Sequence, residues 1–175
     1  GGGLRPRLAK VIAATATKVA VYALFRFVFT VFGVGYAFGT LPLGIVLLAL
    51  AAVSMIAGSL ASIFQTDVKR LLAWSSVAQM GYIVAGFALA TPAGVSAGLV
   101  HLLNHSLIKG ALFMAVGAMV WRVRASSIND LAGLGRAMPL TSAAFVVGGL
   151  SLIGVPATAG FISKWALMSA LFDAQ

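Results

Sequence analysis

The sequence contains no cysteine and no glutamate, and its only acidic residues are three aspartates. The lack of cysteine excludes disulfides and thiolate metal sites, and without glutamate or an HExxH motif a zinc site would lack ligands. The two histidines stand four residues apart in one predicted helix, whereas a membrane haem needs histidines from facing helices. We therefore expect no metal, no cofactor and neither metalloenzyme nor cytochrome chemistry.

Charged residues of either sign are scarce, at 9% of the 175 residues, whereas 61% are hydrophobic and the mean hydropathy is +1.07. A soluble domain of this size could not bury so much apolar surface, so the composition indicates a polytopic membrane protein. The apolar runs are long and lack period-two alternation, which excludes transmembrane strands. The net charge of +9 does not indicate nucleic acid, because the basic residues lie at the ends of apolar runs or inside them.

The apolar runs predict an all-α membrane protein of about five transmembrane helices. Residues 1–175 are expected to form a single transmembrane module, with spans at about 11–38, 43–64, 68–90, 95–120 and 139–172. The sequence starts with three glycines and shows no signal peptide before the first span. We expect the chain to be a piece of a longer subunit.

Basic residues concentrate at alternate joints between these spans. The joints on one side contain Arg5, Arg7, Lys10, Lys69, Arg70, Arg122, Arg124 and Arg136. The turns on the other side, at 39–42 and 91–94, contain no charge. By the positive-inside rule the basic side, with the N-terminus, is predicted to be cytoplasmic in a bacterial-type plasma membrane.

The fourth predicted span carries three ionisable residues, His101, His105 and Lys109, which we call the polar stripe. Steps of four residues place them on one face of a helix. Ionisable groups at membrane depth face a protein interior or a wet cavity. The polar stripe therefore predicts either a structural cluster that holds helices together or a proton or ion relay.

Two further spans contain a lysine. Lys18 lies in the first span, where it is either functional or extends to the membrane interface. Lys164 ends the segment GVPATAGFISK (154–164), whose proline and glycines predict a broken helix at mid-membrane. Such breaks are tolerated where they are buried in protein or line a cavity, and they mark transport sites in several carriers.

The third predicted span has a polar side within SSVAQMGY (75–82). Ser75 and Gln79 are accessory candidates, able to line a water path or to bond a neighbouring helix. Asp67 and Lys69 stand at the start of this span, where Asp67 is expected to cap the helix and to interact with its dipole. We include both as accessory candidates.

No predicted span contains a carboxylate, so a cation would find only hydroxyl, carbonyl and amide ligands. Desolvated lysines exchange protons with water and histidines, and the charge on one site affects the next. The residues thus favour a proton relay. The alternative is a non-conducting membrane subunit that packs within a larger complex.

Four segments together resemble the proton-conducting antiporter-like subunits of Mrp-type cation/proton antiporters and of respiratory complex I. They are ATATKVAVYALFRF (14–27), QTDVKRLLAWSSVAQMGYIVAG (65–86), HLLNHSLIKGALFMAVG (101–117) and SLIGVPATAGFISKW (151–165). The resemblance runs from about Ile12 to Phe172 and covers only the C-terminal part of such a subunit. It is greatest to the D subunit of the Mrp type, followed by the N-type subunit of complex I.

The resemblance implies a role for each basic site. Lys18 corresponds to the lysine of the family's first discontinuous helix, which pairs there with a glutamate from an earlier helix. The polar stripe corresponds to the central hydrophilic axis, and Lys164 to the second broken helix near the outer exit. Lys69 corresponds to a lysine at a helix start.

The resemblance also implies partners and an activity. Protons would pass along the lysines and histidines, coupled in the Mrp case to Na⁺ or K⁺ efflux, in a complex with other membrane subunits. In complex I the same module pumps protons for an NADH-quinone oxidoreductase, so the sequence leaves open whether the parent complex is a transporter or an enzyme. Because the sequence lacks the earlier helices and their glutamate, this chain is not expected to transport by itself.

Overall fold

The computed structural model describes residues 5–174 and the side chains of residues 16–174. The side chains of Arg5, Arg7 and Lys10, which form the predicted basic N-terminal segment, lie outside that part. The helices are α1 (Arg5–Phe27), α2 (Leu43–Ile63), α3 (Val68–Ala88), α4 (Pro92–Val123), α5 (Leu134–Ala137), α6 (Pro139–Ile153) and α7 (Ala159–Phe172). Residues 5–174 contain no β-strand, which confirms the all-α prediction.

The helices have the length and composition of membrane segments. α2, α3 and α4 are each long and apolar enough to cross a membrane, and α6 and α7 are shorter apolar helices. Large apolar side chains cover the outside of the bundle, including Ile45, Leu107 and Leu140, which are 66–85% exposed. This surface suits contact with lipid, so the chain is an all-α polytopic membrane protein.

The first segment is less regular than the sequence predicts. The α-helical part of α1 ends at Phe27 and is followed by π-helical turns at Val28–Phe32 and Gly35–Thr40. Gly33 separates the two turns with a φ of +74°, a conformation that glycine adopts without strain. The Phe25 ring stacks on Phe87 of α3 with centroids 4.3 Å apart, and this contact holds α1 against the bundle.

Small residues bring α2 and α3 into close contact. A Cβ at Gly58 would lie 2.6 Å from the backbone nitrogen of Ala78, and one at Gly81 would lie 2.7 Å from the carbonyl oxygen of Ala51. Only a missing side chain permits such approach, as in other membrane helix pairs. α3 in turn packs on α4, and α4 contacts both α6 and α7. α4 is therefore the central helix.

The joint before α3 and the joint after α4 meet at one end of the bundle. Asp67 caps α3 by accepting from the backbone N–H groups of Lys69 (2.8 Å) and Arg70 (3.1 Å). The Ser126 hydroxyl donates to the other Asp67 oxygen, and the Ser126 carbonyl accepts from the backbone N–H of Val68 (3.0 Å). The basic residues of these two joints thus share one side of the protein.

The predicted helix break lies between α6 and α7. α6 begins with Pro139 in its first turn and ends at Ile153, and α7 begins at Ala159. Gly154 closes α6 with a φ of +92°. The break therefore covers residues 154–158, and Lys164 lies within the second turn of α7.

Candidate functional site

The polar stripe lies in the interior of the bundle. His101 is 3% exposed, and His105 and Lys109 are each 1% exposed, although all three belong to an apolar helix. The four-residue spacing aligns them along the side of α4 that contacts α3 and α7. The hydrogen-bond partners of these three side chains decide which chemistry they can carry out.

His101 joins three helices through its two ring nitrogens. Nδ1 lies 2.9 Å from Oγ of Ser163 on α7, and Nε2 lies 2.9 Å from Oε1 of Gln79 on α3. The Gln79 amide nitrogen donates over a longer distance, 3.5 Å, to the Leu152 carbonyl near the end of α6. The predicted accessory residue Gln79 is thus a direct partner of the polar stripe.

Lys109 binds to the beginning of α3. Its ammonium group donates to the Leu72 carbonyl oxygen at 2.6 Å and to Ser75 Oγ at 2.5 Å. The Ser75 hydroxyl donates to the same Leu72 carbonyl at 3.1 Å. Ser75, the second accessory candidate on α3, therefore contacts the lysine directly.

Lys164 binds to the end of α6 across the break. Its Nζ donates to the carbonyl oxygens of Leu152 (2.9 Å) and Ile153 (3.0 Å), and it lies 4.9 Å from the centre of the Tyr82 ring. The last carbonyls of a helix have no partner within that helix, and a cation near them also interacts favourably with the helix dipole. The aromatic face of Tyr82 adds a cation–π contact.

His105 connects the two ends of the polar stripe. Its ring lies parallel to that of His101, with an interplanar angle of 10° and centroids 6.3 Å apart. Neither of its nitrogens has a hydrogen-bond partner in the described part of the chain. His105 lies within electrostatic range of Lys18, His101, Lys109 and Lys164, and is therefore central to the whole set of bases.

Lys18 lies on α1 and is 6% exposed. It interacts electrostatically with both His105 and Lys109. The structure thus brings together Lys18, the polar stripe and Lys164, a set that we call the basic row. Lys69 and Asp67 meet at the start of α3 through a backbone hydrogen bond, and no hydrogen bond in the described part links the Lys69 side chain to the basic row.

Ser163 is a site residue that the sequence did not reveal. It is fully buried, and its hydroxyl is one of the two partners of His101, which is 62 residues away in sequence. The one feature of the sequence that points to Ser163 as a site residue is its position directly before Lys164. The register of α7 against α4, which a single sequence does not specify, decides that Ser163 faces His101.

The hydrogen-bond partners of His101, Lys109 and Lys164 are neutral groups, namely hydroxyls, an amide and backbone carbonyls. Asp67 lies before α3, Asp130 on the connection to α5 and Asp173 after α7, so residues 16–174 place no carboxylate along the row. No group of three or more metal-ligating side chains occurs in the described part of the chain. The arrangement suits the exchange of protons between bases rather than the binding of a metal cation.

Comparisons with known proteins identify the family of this chain. The family model described as "NADH:quinone oxidoreductase/Mrp antiporter, TM" matches residues 7–175. The chain is 42% identical over 164 residues to the NADH-quinone oxidoreductase subunit N of Desulforudis audaxviator, covering 93% of this chain and 32% of that protein. It is 37% identical over 146 residues to hydrogenase-4 component B of Escherichia coli, covering 76% of this chain and 22% of that protein.

Solved structures show the same likeness. A chain in the structure of the Mrp complex from a Dietzia species matches with a TM-score of 0.81 and 34% identity, covering 90% of this chain and 29% of that chain. A chain of an archaeal membrane-bound sulfane sulfur reductase matches with a TM-score of 0.71 and 38% identity, covering 74% and 26%. The present chain spans less than a third of the length of each of these relatives. The match over nearly the whole of this chain shows that it belongs to the NADH:quinone oxidoreductase/Mrp antiporter transmembrane family.

Proposed function

We propose that this chain is part of a proton-translocating subunit of a multisubunit membrane complex, and that protons move along the basic row. The observation that supports this most directly is a set of five bases on three helices, of which Lys18 on α1 and the polar stripe on α4 are buried and Lys164 on α7 is partly buried. Ionisable groups at membrane depth are costly, so a set of this size with four buried members favours a functional role over a purely structural one.

The neutral partners of the lysines favour proton release. A lysine paired with a buried carboxylate would leave an uncompensated negative charge on losing its proton, which costs several kcal/mol. Lys109 and Lys164 instead donate to carbonyls and to Ser75, groups that remain neutral when the lysine does. Both lysines can therefore pass a proton on without leaving an unpaired charge.

His105 supports the continuity of the path. Buried polar atoms are almost always hydrogen-bonded, so its two ring nitrogens require partners beyond the described side chains. Internal water supplies such partners in protein interiors. An imidazole that bonds to water on both nitrogens can accept a proton on one and release it from the other.

Two kinds of parent complex fit this module. The first is an Mrp-type antiporter that exchanges protons for Na⁺ or K⁺, and the likeness to the Mrp complex structure supports it. The second is a complex I-type NADH-quinone oxidoreductase that pumps protons, supported by the identity to subunit N. In both cases the five predicted spans form one transmembrane module of a longer subunit, embedded among other membrane subunits in the lipid bilayer of a bacterial-type inner membrane.

The test uses the parent complex in proteoliposomes with a pH-sensitive dye. Lys109→Met and Lys164→Met remove the charge but keep a long side chain. Arg122→Ala serves as the control, because it removes a positive charge from the exposed end of α4. We expect the two lysine variants to assemble and to lose roughly 100-fold or more in proton flux, as is typical when a proton-transfer group is removed.

Normal flux in assembled lysine variants would instead identify a non-conducting structural subunit. The energy source that drives proton movement distinguishes the two parent complexes. A Na⁺ or K⁺ gradient produces a pH gradient in an antiporter, whereas NADH and quinone are required by an oxidoreductase.

A further inference from the structure

Ser163 has one hydroxyl proton and more than one acceptor. Its Oγ lies 2.9 Å from His101 Nδ1, 3.2 Å from the Gly160 carbonyl oxygen and 3.5 Å from the Ala159 carbonyl oxygen. The hydroxyl can donate to His101 or to its own helix, but not to both at once. Its direction must therefore depend on what His101 offers at Nδ1.

The other nitrogen of His101 is fixed by Gln79. The Gln79 amide nitrogen donates to the Leu152 carbonyl, so Oε1 faces His101 Nε2 at 2.9 Å. An amide oxygen only accepts, so Nε2 carries a proton in both charge states of the ring. His101 therefore gains and loses its proton at Nδ1. This nitrogen accepts a hydrogen bond in the neutral ring and donates one in the imidazolium.

Resting on the proposed proton relay, we propose that Ser163 is a positioning residue whose hydroxyl reverses direction when His101 gains or loses a proton. With neutral His101 the hydroxyl donates to Nδ1. With charged His101 it accepts from Nδ1–H and donates to the Gly160 carbonyl. The hydroxyl keeps its own proton throughout, so the proton on His101 comes from elsewhere in the basic row.

This reversal satisfies both charge states without moving a heavy atom. The other groups that face His101 are basic or neutral, namely Lys164 on α7, His105 on α4 and the Tyr82 ring on α3. The centroids of the Tyr82 and His101 rings lie 5.8 Å apart. In the described part of the chain no carboxylate faces the ring to balance an imidazolium. Ser163 and Gln79 are thus the acceptors that stabilise the charged form.

The reversal also links His101 to the helix break. The Gly160 carbonyl belongs to the first turn of α7, and the Gly160 N–H donates to Ser151 Oγ on α6 at 3.2 Å. Lys164, which binds the last carbonyls of α6, follows Ser163 directly. The second acceptor of the Ser163 hydroxyl thus lies in the first turn of α7, next to the break.

The experiment compares the parent complex with its Ser163→Ala, Ser163→Thr and Ser106→Ala variants. Ser106→Ala is the matched control, because the Ser106 hydroxyl donates to the Leu102 carbonyl of its own helix, at 2.7 Å, and to no other group among the described residues. The readout is the pH titration of His101, followed by ¹⁵N NMR of histidine-labelled complex in lipid and assigned by difference from His101→Gln. Proton flux is measured on the same samples.

A hydrogen bond to a charged group contributes more than one to a neutral group, by roughly the free energy of one pH unit. We therefore expect Ser163→Ala to move the His101 titration to lower pH by about one unit, whereas Ser163→Thr and Ser106→Ala titrate as wild type. An unchanged titration in Ser163→Ala would overturn the proposal, whatever happens to the flux. If the titration moves while Lys109→Met retains full proton flux, the hydroxyl reversal stands and the proton relay fails.

Discussion

Replacing Gly160 by alanine adds one methyl group where the first turn of α7 meets α6. A Cβ at this position would lie 1.7 Å from the Ser151 carbonyl oxygen and 2.8 Å from its carbon, whereas ordinary contacts are longer than about 3.4 Å. α7 must therefore move away from α6 by more than 1 Å. The obstacle is backbone, so no side-chain rotation relieves it.

The displacement would break the hydrogen bonds that α7 makes with its neighbours. Ser163 lies 2.9 Å from His101, and Lys164 lies 2.9 and 3.0 Å from its two carbonyl partners, so a shift of this size stretches all three contacts beyond hydrogen-bond length. Overpacking costs about 1–3 kcal/mol and each lost hydrogen bond costs about 1 kcal/mol. We expect Gly160→Ala to destabilise the subunit by roughly 4–6 kcal/mol.

The assay is thermal unfolding of the detergent-solubilised parent complex, together with proton flux in proteoliposomes. Gly149→Ala is the matched control, because it is also a glycine of this region and has no atom within 4 Å of the added Cβ. We expect the control to unfold at or above the wild-type temperature, since alanine favours helix. If Gly160→Ala and Gly149→Ala have the same unfolding temperature and the same proton flux, the close contact between Gly160 and Ser151 is refuted.

Three further predictions concern the ends of the helices. The Ser126 hydroxyl and the Arg70 backbone N–H hold the pKa of Asp67 below its ordinary value, so the stability that Asp67 contributes is present above about pH 4 and is lost as the pH falls through the lowered pKa. Ser126→Ala should raise that pKa and weaken the pH dependence of thermal unfolding below pH 4; an unchanged dependence would contradict the assignment. Thr91→Ala should destabilise the subunit by about 1 kcal/mol, because the Thr91 hydroxyl caps α4 by accepting from the backbone N–H of Gly94. This would be contradicted if Thr91→Ala lost less stability than the same substitution at an exposed threonine that caps no helix. Cysteines introduced at Arg124 and at Thr40 should react with a membrane-impermeant maleimide from opposite sides, with Arg124 on the cytoplasmic side; labelling from one side only would disprove the topology.

The sequence predicts the parts of the site that depend on local pattern. The alignment of the polar stripe follows from four-residue spacing, because an α-helix returns to nearly the same face every fourth residue. The break follows from Gly154 and Pro156, since these residues weaken helical hydrogen bonding whatever surrounds them. Asp67 likewise caps α3 through contacts with residues only two and three positions away.

The sequence does not reveal contacts that depend on how helices pack. His101 and Ser163 meet only because α7 lies against α4 in one register, and a single sequence does not specify that register. The sequence also does not predict the irregular end of the first segment. Residues 28–40 contain no charged residue and are mostly apolar, so their pattern does not distinguish a continuous α-helix from π-helical turns separated at Gly33.

The break and Lys164 are best understood as one physical unit. Ending α6 at Ile153 leaves the Leu152 and Ile153 carbonyls without helical partners, and a buried backbone group that stays unsatisfied costs several kcal/mol. An ammonium group supplies donors to both carbonyls, and a neutral amine still supplies two. The break therefore stabilises a lysine at a depth where lysine is otherwise costly, and the lysine satisfies the break in either charge state. A helix interrupted here without a lysine, or a lysine on an uninterrupted helix, would lack this compensation.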